Sequence, residues 1–409
     1  MARKPIRDLT LEEQLARGPL DLPFLMLVAL LTGVGLIMMF SASYASAYYD
    51  SSDMVRNNPM YYIQRQSAFA LMGLAAMYIV SRYNYQNLRK WSPILLAGAI
   101  LLLVLVLTPL GYGKKTVGAQ RWMKMFLVAG PGFQPSEIAK VAVILFFAAR
   151  LSTRDTEKKK KFTRRTTTGR CLNWLEKVGF LELVPYGAVL AVVIGLVLLE
   201  PHMSGSILIL VGAGAVVFVS GISLKWFIGA AAGVGGLLAL VIRFTSYMTA
   251  RINLWRDPWL DPRGDGYQTI QSLYAIASGG LMGLGLGNSR QKFLYIPEPQ
   301  NDFLFPIVVE ELGLVGGLLV LLLFALLILR GYWLALHARD KFGTLTIVGI
   351  ITLLAGQVFL NIGVVTNLIP NTGISLPFFS YGGTALMIQL AEMGIVLSIS
   401  RQIPAPRKD

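Results

Sequence analysis

The sequence predicts an all-α membrane protein that crosses the lipid bilayer about ten times. Of its 409 residues, 55% are hydrophobic and only 14% are charged, whereas a soluble domain carries about 25% charged residues. The mean hydropathy is +0.59, and apolar runs of roughly 18 residues recur along the chain. Lipid offers no hydrogen-bond partner to an open sheet edge, so each run is expected to be a helix.

Ten apolar segments define the expected architecture, counted in chain order. They form one membrane domain over residues 22–400, between tails at 1–21 and 401–409. The first run is about 18 residues long, which suits a retained span better than a cleaved signal peptide. The segments are 22–41, 66–81, 92–110, 135–151, 184–200, 204–222, 225–243, 303–329, 343–364 and 381–400.

Positive charge is concentrated on one side of this topology. About two thirds of the 37 Lys and Arg residues fall in the two tails and the even-numbered connections, which the positive-inside rule places in the cytoplasm. The basic connection 152–183 belongs to this side. Its run EKKKKFTRR, Glu157–Arg165, is interpreted as a topology signal near anionic lipid rather than as a nucleic-acid site. The longest outward connection, 244–302, is expected to be extracytoplasmic and joins segments seven and eight.

Three charged residues fall inside predicted spans. Glu137 and Lys140 are three positions apart in segment four, so they share one helix face. An isolated charge there would cost roughly 2.5–3.5 kcal/mol, which leaves two interpretations: a structural ion pair, or the polar wall of a cavity that contacts substrate. Glu392 in segment ten allows the same two interpretations.

The loop 244–302 ends at Asp302, immediately before segment eight. Pro297 and Pro299 stiffen the chain on its approach, so the carboxylate is delivered to a defined place at the membrane surface. Two roles are open for Asp302. It could cap the following helix through free backbone N–H groups, or it could act as a general base toward an attacking hydroxyl.

The same loop region is rich in cations and glycines. Guanidinium groups fit phosphate in a bidentate manner, so the outward cations are candidate phosphate ligands or lipid-headgroup contacts. The stretch Thr269–Leu286 is apolar but dense in glycine, and it predicts an irregular hairpin in the membrane interface rather than a span. The single Cys171 excludes an intramolecular disulfide, and the only two histidines, His202 and His337, lie in separate loops, which argues against a histidine metal site.

Three long motifs resemble the SEDS family of bacterial shape, elongation, division and sporulation proteins. They are GAQRW followed by FQPSEIAK, the loop blocks DGYQTIQSLYAIASGG and GLGLGNSRQKFLYIPEPQNDF followed by EELG, and NLIPNTGISLPFFSYGGTAL. The resemblance covers nearly the whole chain and is closer to the division and sporulation branch (FtsW, SpoVE) than to the elongation branch (RodA). The chain departs from the family pattern at Gln300-Asn301, where His-Thr is frequent, and at Pro306, where Ala is common.

The resemblance implies a peptidoglycan glycosyltransferase that polymerises lipid II, an undecaprenyl-diphosphate disaccharide peptide, beside a class B penicillin-binding protein. The family's essential loop aspartate maps to Asp302, and its intramembrane acid and lysine map to Glu137 and Lys140. No nucleotide is needed, because the donor carries its own diphosphate leaving group; a divalent cation, Mg²⁺ or Mn²⁺, is the one cofactor left open. The further candidate substrate contacts are Arg121, Arg243, Arg251, Lys292 and Glu311.

Two other functions remain open from the residues alone. A transporter that flips lipid II would also place Glu137, Lys140 and Glu392 inside the bilayer. A non-catalytic scaffold for a cell-wall synthesis complex would need helix surfaces but not Asp302. The position of Asp302 in the outer loop favours the enzyme over both.

Overall fold

The computed structural model describes residues 18–52, 55–112, 120–123, 132–153, 180–200, 202–222 and 252–403, together with positions 225, 226, 229, 233 and 236. Segment seven, predicted at 225–243, therefore lies largely outside the described residues. The described elements are α1 (Leu22–Tyr49), α2 (Tyr61–Arg82), α3 (Gln86–Val106), β1 (Gly111–Tyr112), β2 (Trp122–Met123), α4 (Pro135–Ser152), α5 (Phe180–Leu199), α6 (Met203–Val219), a 3-10 turn (Pro258–Leu260), α7 (Tyr267–Gly279), α8 (Leu304–His337), α9 (Lys341–Val365) and α10 (Gly383–Ser400).

The regular secondary structure of the described residues is helical apart from one two-stranded antiparallel sheet, β1–β2, in agreement with the all-α prediction. In it, five helices are long and apolar enough to cross a membrane, namely α1, α3, α8, α9 and α10, and shorter apolar helices lie at Leu183–Leu199 and Met203–Val219. α1 and α8 continue past the predicted ends at 41 and 329. Hydropathy marks only the part of a helix that contacts lipid, so it cannot show how far the helix extends beyond the bilayer.

Small residues let these helices approach one another closely, which is how helices associate in lipid. α2 packs along α10, where a Cβ on Gly394 would lie 2.7 Å from the carbonyl oxygen of Met77. α9 packs against α4, α6 and α8, and a Cβ on its Gly349 would lie 2.5 Å from a methyl group of Ile144. These close helix contacts position α4, α6, α9 and α10, which surround the site described below.

α8 is broken near its start, and the glycine-rich turn that follows α7 packs against the break. Gly313 has φ 72° and ψ −178°, a conformation that favours glycine, and a Cβ there would lie 2.3 Å from the carbonyl oxygen of Leu281. Backbone N–H groups cross the break: Leu284 donates to the oxygen of Glu310, and Leu314 to that of Gly280, both at 2.9 Å. With its 13 residues, α7 is about 20 Å long, too short to span, as expected for Thr269–Leu286.

Candidate active site

A cavity of about 400 Å³ lies where the β2 strand, the starts of α4 and α6, the segment before α8 and the α9–α10 loop meet. It brings together four of the residues that the sequence predicts as functional. These are Arg121, Glu137, Lys140 and Asp302. Their meeting at one cavity, from positions far apart in sequence, makes this the candidate active site.

Among the described residues, Asp302 is held at the cavity through its main chain. Its carbonyl oxygen accepts a hydrogen bond from Asn361 Nδ2 at 2.8 Å, and the same amide donates to the Ile374 oxygen at 2.6 Å. The N-cap of α8 is Phe303, and no side chain caps that helix. The capping role considered for Asp302 is therefore wrong. Gly373, with φ +64°, lets the loop pass close by, since a Cβ there would lie 3.2 Å from Asp302 Oδ2.

The surroundings of Asp302 make its carboxylate a better base than a solvated one. Burial raises the pKa of Asp302 to about 6; the negative charge of Glu298 also raises it, and Arg121 acts in the opposite direction. An ordinary Asp has a pKa near 4. A base is most effective when its pKa lies near the working pH, so this shift favours proton abstraction by Asp302.

Glu137 and Lys140 form an ion pair that is also part of the cavity wall. Pro135 occupies the first turn of α4, where a proline costs no hydrogen bond, and Lys140 Nζ lies 2.8 Å from Glu137 Oε2. Both side chains line the cavity. A narrow recess continues from them to the buried Glu392 on α10. The two interpretations of the pair are thus compatible, because it is an ion pair that faces an open space.

Arg121 immediately precedes β2 and lines the cavity, and its neighbours were not predicted. Its Nε donates to the carbonyl oxygen of Glu200 at 3.2 Å. The Glu200 carboxylate is buried, and neither of its oxygens has a hydrogen-bond partner among the described residues. His202 lines the same cavity. Sequence reasoning missed both, although Glu-Pro-His between two apolar segments is a signal, because titratable groups at a tight turn between spans are costly to bury.

Lys292 and Glu311 do not reach the cavity. Lys292 Nζ lies 3.0 Å from Glu311 Oε1, and both side chains are buried. Ser41 Oγ lies 2.7 and 2.8 Å from the two Glu311 oxygens, and Lys292 also donates to the Gly287 oxygen at 2.6 Å. Through these contacts, Lys292 and Glu311 link α1, the loop and α8. The other two predicted contacts, Arg243 and Arg251, lie outside the described residues.

Replacing Glu311 by Gln is expected to destabilise the protein by about 3–5 kcal/mol, because it leaves the Lys292 charge buried without its partner. Thermal unfolding in detergent measures this. Glu298→Gln is the matched control: Glu298 is exposed on the same loop, and its replacement should change stability by no more than about 0.5 kcal/mol. An equal melting temperature for Glu311→Gln and the unmodified protein would contradict a structural role.

Known proteins share both this sequence and this fold. The sequence profile of the Cell cycle protein family of FtsW, RodA and SpoVE matches residues 22–404. The chain is 42% identical over 385 residues to stage V sporulation protein E of Bacillus subtilis, covering 93% of this chain and 97% of that protein. It is 36% identical to a probable peptidoglycan glycosyltransferase FtsW of Geobacter metallireducens, with 94% and 95% covered.

Solved structures agree with these relatives. A chain from a peptidoglycan synthase complex, studied for how polymerisation and crosslinking are coordinated, superposes with a TM-score of 0.70 at 28% identity, covering 95% of this chain and 99% of that one. The rod shape determining protein RodA of Thermus thermophilus superposes with a TM-score of 0.61 at 27% identity, covering 95% and 98%. The chain is thus a multi-pass membrane protein that belongs to the FtsW, RodA and SpoVE family, the SEDS family that its motifs resemble.

Proposed function

We propose that this protein is a peptidoglycan glycosyltransferase that polymerises lipid II at the outer face of the cytoplasmic membrane. The observation that carries the proposal is the position of Asp302 in one cavity with two cations, Arg121 and Lys140. A glycosyl transfer from a diphosphate donor needs a base for the incoming hydroxyl and positive charge for the leaving group. This cavity offers both.

In the proposed reaction, Asp302 takes the proton of the 4-hydroxyl of the acceptor N-acetylglucosamine. The oxygen attacks C1 of the donor N-acetylmuramic acid, the bond from C1 to the diphosphate breaks, and the configuration at C1 inverts. Lys140 and Arg121 stabilise the negative charge that develops on the departing diphosphate. Because the pKa of Asp302 stays below neutrality, alignment of acceptor and donor in the cavity must supply much of the rate.

The activity is expected to fall as the pH drops through about 6, because Asp302 must be deprotonated to act as a base. Glu298→Gln removes a negative charge that raises this pKa, so the acidic limb should move to lower pH. The measurement is kcat/KM for lipid II polymerisation between about pH 5 and 8, which reports the pKa of the free enzyme. An acidic limb that Glu298→Gln shifts to higher pH would contradict the assignment.

Both termini are proposed to be cytoplasmic, which places the cavity mouth outside. The charge distribution supports this orientation. A class B penicillin-binding protein is the proposed partner; the related chain in a complex for polymerisation and crosslinking supports it. Among the described residues, no three Asp, Glu, His or Cys side chains cluster as a metal site. A divalent cation that binds together with substrate phosphates needs only one or two carboxylates, so the experiment below varies the cation.

The experiment is polymerisation of purified lipid II by the full chain in detergent, with and without a class B partner and with Mg²⁺, Mn²⁺ or a chelator. Micelles have no leaflets, so flipping cannot account for any product. A ladder of glycan strands is the expected result. No ladder under any of these conditions would instead favour transport of lipid II or a scaffolding role.

A further inference from the structure

His202 lines the candidate active site, yet the proposed reaction does not use it. It lies in the turn between α5 and α6, in the same cavity as Arg121, Lys140 and Asp302. The only other histidine, His337, lies at the end of α8 and is exposed. The hydrogen bonds of His202 show whether its ring can offer the cavity a hydrogen-bond donor or an acceptor.

The neighbours of His202 select one tautomer of its ring. Gln134 Nε2 lies 3.4 Å and Ser136 Oγ lies 3.3 Å from His202 Nδ1. In the orientation that the structure gives the Gln134 amide, its nitrogen faces Nδ1 and can only donate, so Nδ1 is the acceptor. A neutral imidazole that accepts at Nδ1 carries its proton at Nε2. His202 therefore presents an N–H donor on the edge of the ring away from Gln134 and Ser136.

The ring is neutral and is oriented by the start of α6. Burial, together with the charges of Arg121 and Lys140, lowers the pKa of His202 to about 3. A Cβ on Gly205 would lie 2.6 Å from Nδ1 and 2.7 Å from Cε1, so the Nδ1 side of the ring packs on the helix. Only a residue without a side chain at position 205 leaves room for this orientation.

We propose that the Nε2–H of His202 donates a hydrogen bond to the diphosphate of the lipid-linked donor, beside Arg121 and Lys140. This proposal rests on the proposed function, and it names the residue that recognises the leaving group. A neutral donor in the same cavity as two cations suits a polyanion, because it adds a directed hydrogen bond without adding a third positive charge to the cavity. After transfer, the same contact would hold undecaprenyl diphosphate, the product.

The test is binding of undecaprenyl diphosphate and undecaprenyl phosphate to the purified full chain. The two ligands share the lipid tail, so the ratio of their affinities reports recognition of the headgroup. His202→Ala is expected to weaken diphosphate binding by about tenfold or more, the usual effect of one hydrogen bond to a charged group, and to change tail-dependent binding little. His202→Gln, which keeps an N–H donor at similar reach, should restore most of the affinity. His337→Ala is the matched control and should bind as the unmodified protein does.

Gly205→Ala supplies a second variant that keeps the imidazole but crowds it, and it should weaken diphosphate binding as well. Equal diphosphate affinity for His202→Ala and the unmodified protein, with both folded by their melting temperatures, would overturn the proposal. So would a loss of binding that is the same for both ligands. Failure of the proposed function is a separate result: a chain that binds undecaprenyl diphosphate through His202 but makes no glycan would retain this inference and lose the polymerase.

Discussion

Asp302→Asn is expected to lower the rate of glycan polymerisation by roughly 10²–10⁴-fold, the usual contribution of a general base. The amide keeps the size of the side chain but cannot take a proton from the acceptor hydroxyl. Asp302 is held through its main chain by Asn361, and its side chain caps no helix. The replacement should therefore leave the fold and the affinity for lipid II nearly unchanged. Initial rates and lipid II binding by the same protein preparation measure both quantities.

Asp265→Asn is the matched control for this prediction. Asp265 is an exposed carboxylate in the same loop region before α8, and its replacement should leave the rate within about twofold, as for most surface changes. A rate for Asp302→Asn equal to that of the control would remove Asp302 from the reaction. A low rate accompanied by a lower melting temperature would point to a structural role instead.

The second large effect is expected at the Glu137–Lys140 pair, where combining two substitutions should restore stability but not activity. Glu137→Gln leaves Lys140, only 5% exposed, without its partner, at a cost of about 3 kcal/mol. Lys140→Met should cost less, because the remaining Glu137 is in the first turn of α4, where the helix dipole favours a negative charge. Both single variants should lose activity, since each changes the charge of the cavity wall.

The double variant Glu137→Gln/Lys140→Met tests this separation. It removes both charges, so its melting temperature should recover toward that of the unmodified protein. Its polymerisation rate should stay low, about 10²-fold below normal, because one of the two cations proposed to stabilise the diphosphate is gone. Recovery of both stability and rate in the double variant would show that the pair only joins helices.

The sequence predicted the helical, multi-pass character of the chain, because length and apolar character are local properties of a segment. It could not predict the break in α8, because Gly313 needs its positive φ only where the backbone of Leu281 inserts. The same holds for the glycines that let α2 meet α10. These requirements arise from the contact of segments that are distant in the chain, and hydropathy carries no information about them.

In the structure, three of the predicted charges inside or next to a span meet at one cavity, whereas the loop charge of Lys292 does not reach it. Asp302, Glu137 and Lys140 stood out because a charge there is costly unless it is used or paired. Lys292 was also a charged candidate, but its partners include Ser41, which is 251 positions away. Such a contact cannot be read from the sequence. His202 was set aside because a lone histidine has no metal partners in sequence, while its hydrogen bonds to Gln134 and Ser136 exist only in the folded chain.

The most direct test of the central claim is an experimental structure of the full chain carrying Asp302→Asn, trapped with lipid II. The account predicts sugar and diphosphate in the cavity between α4, α6 and the α9–α10 loop. The acceptor 4-hydroxyl should lie about 3 Å from the side chain at position 302, and the donor diphosphate should contact Arg121 and Lys140. Lipid II bound elsewhere on the molecule, with this cavity unfilled, would contradict the account.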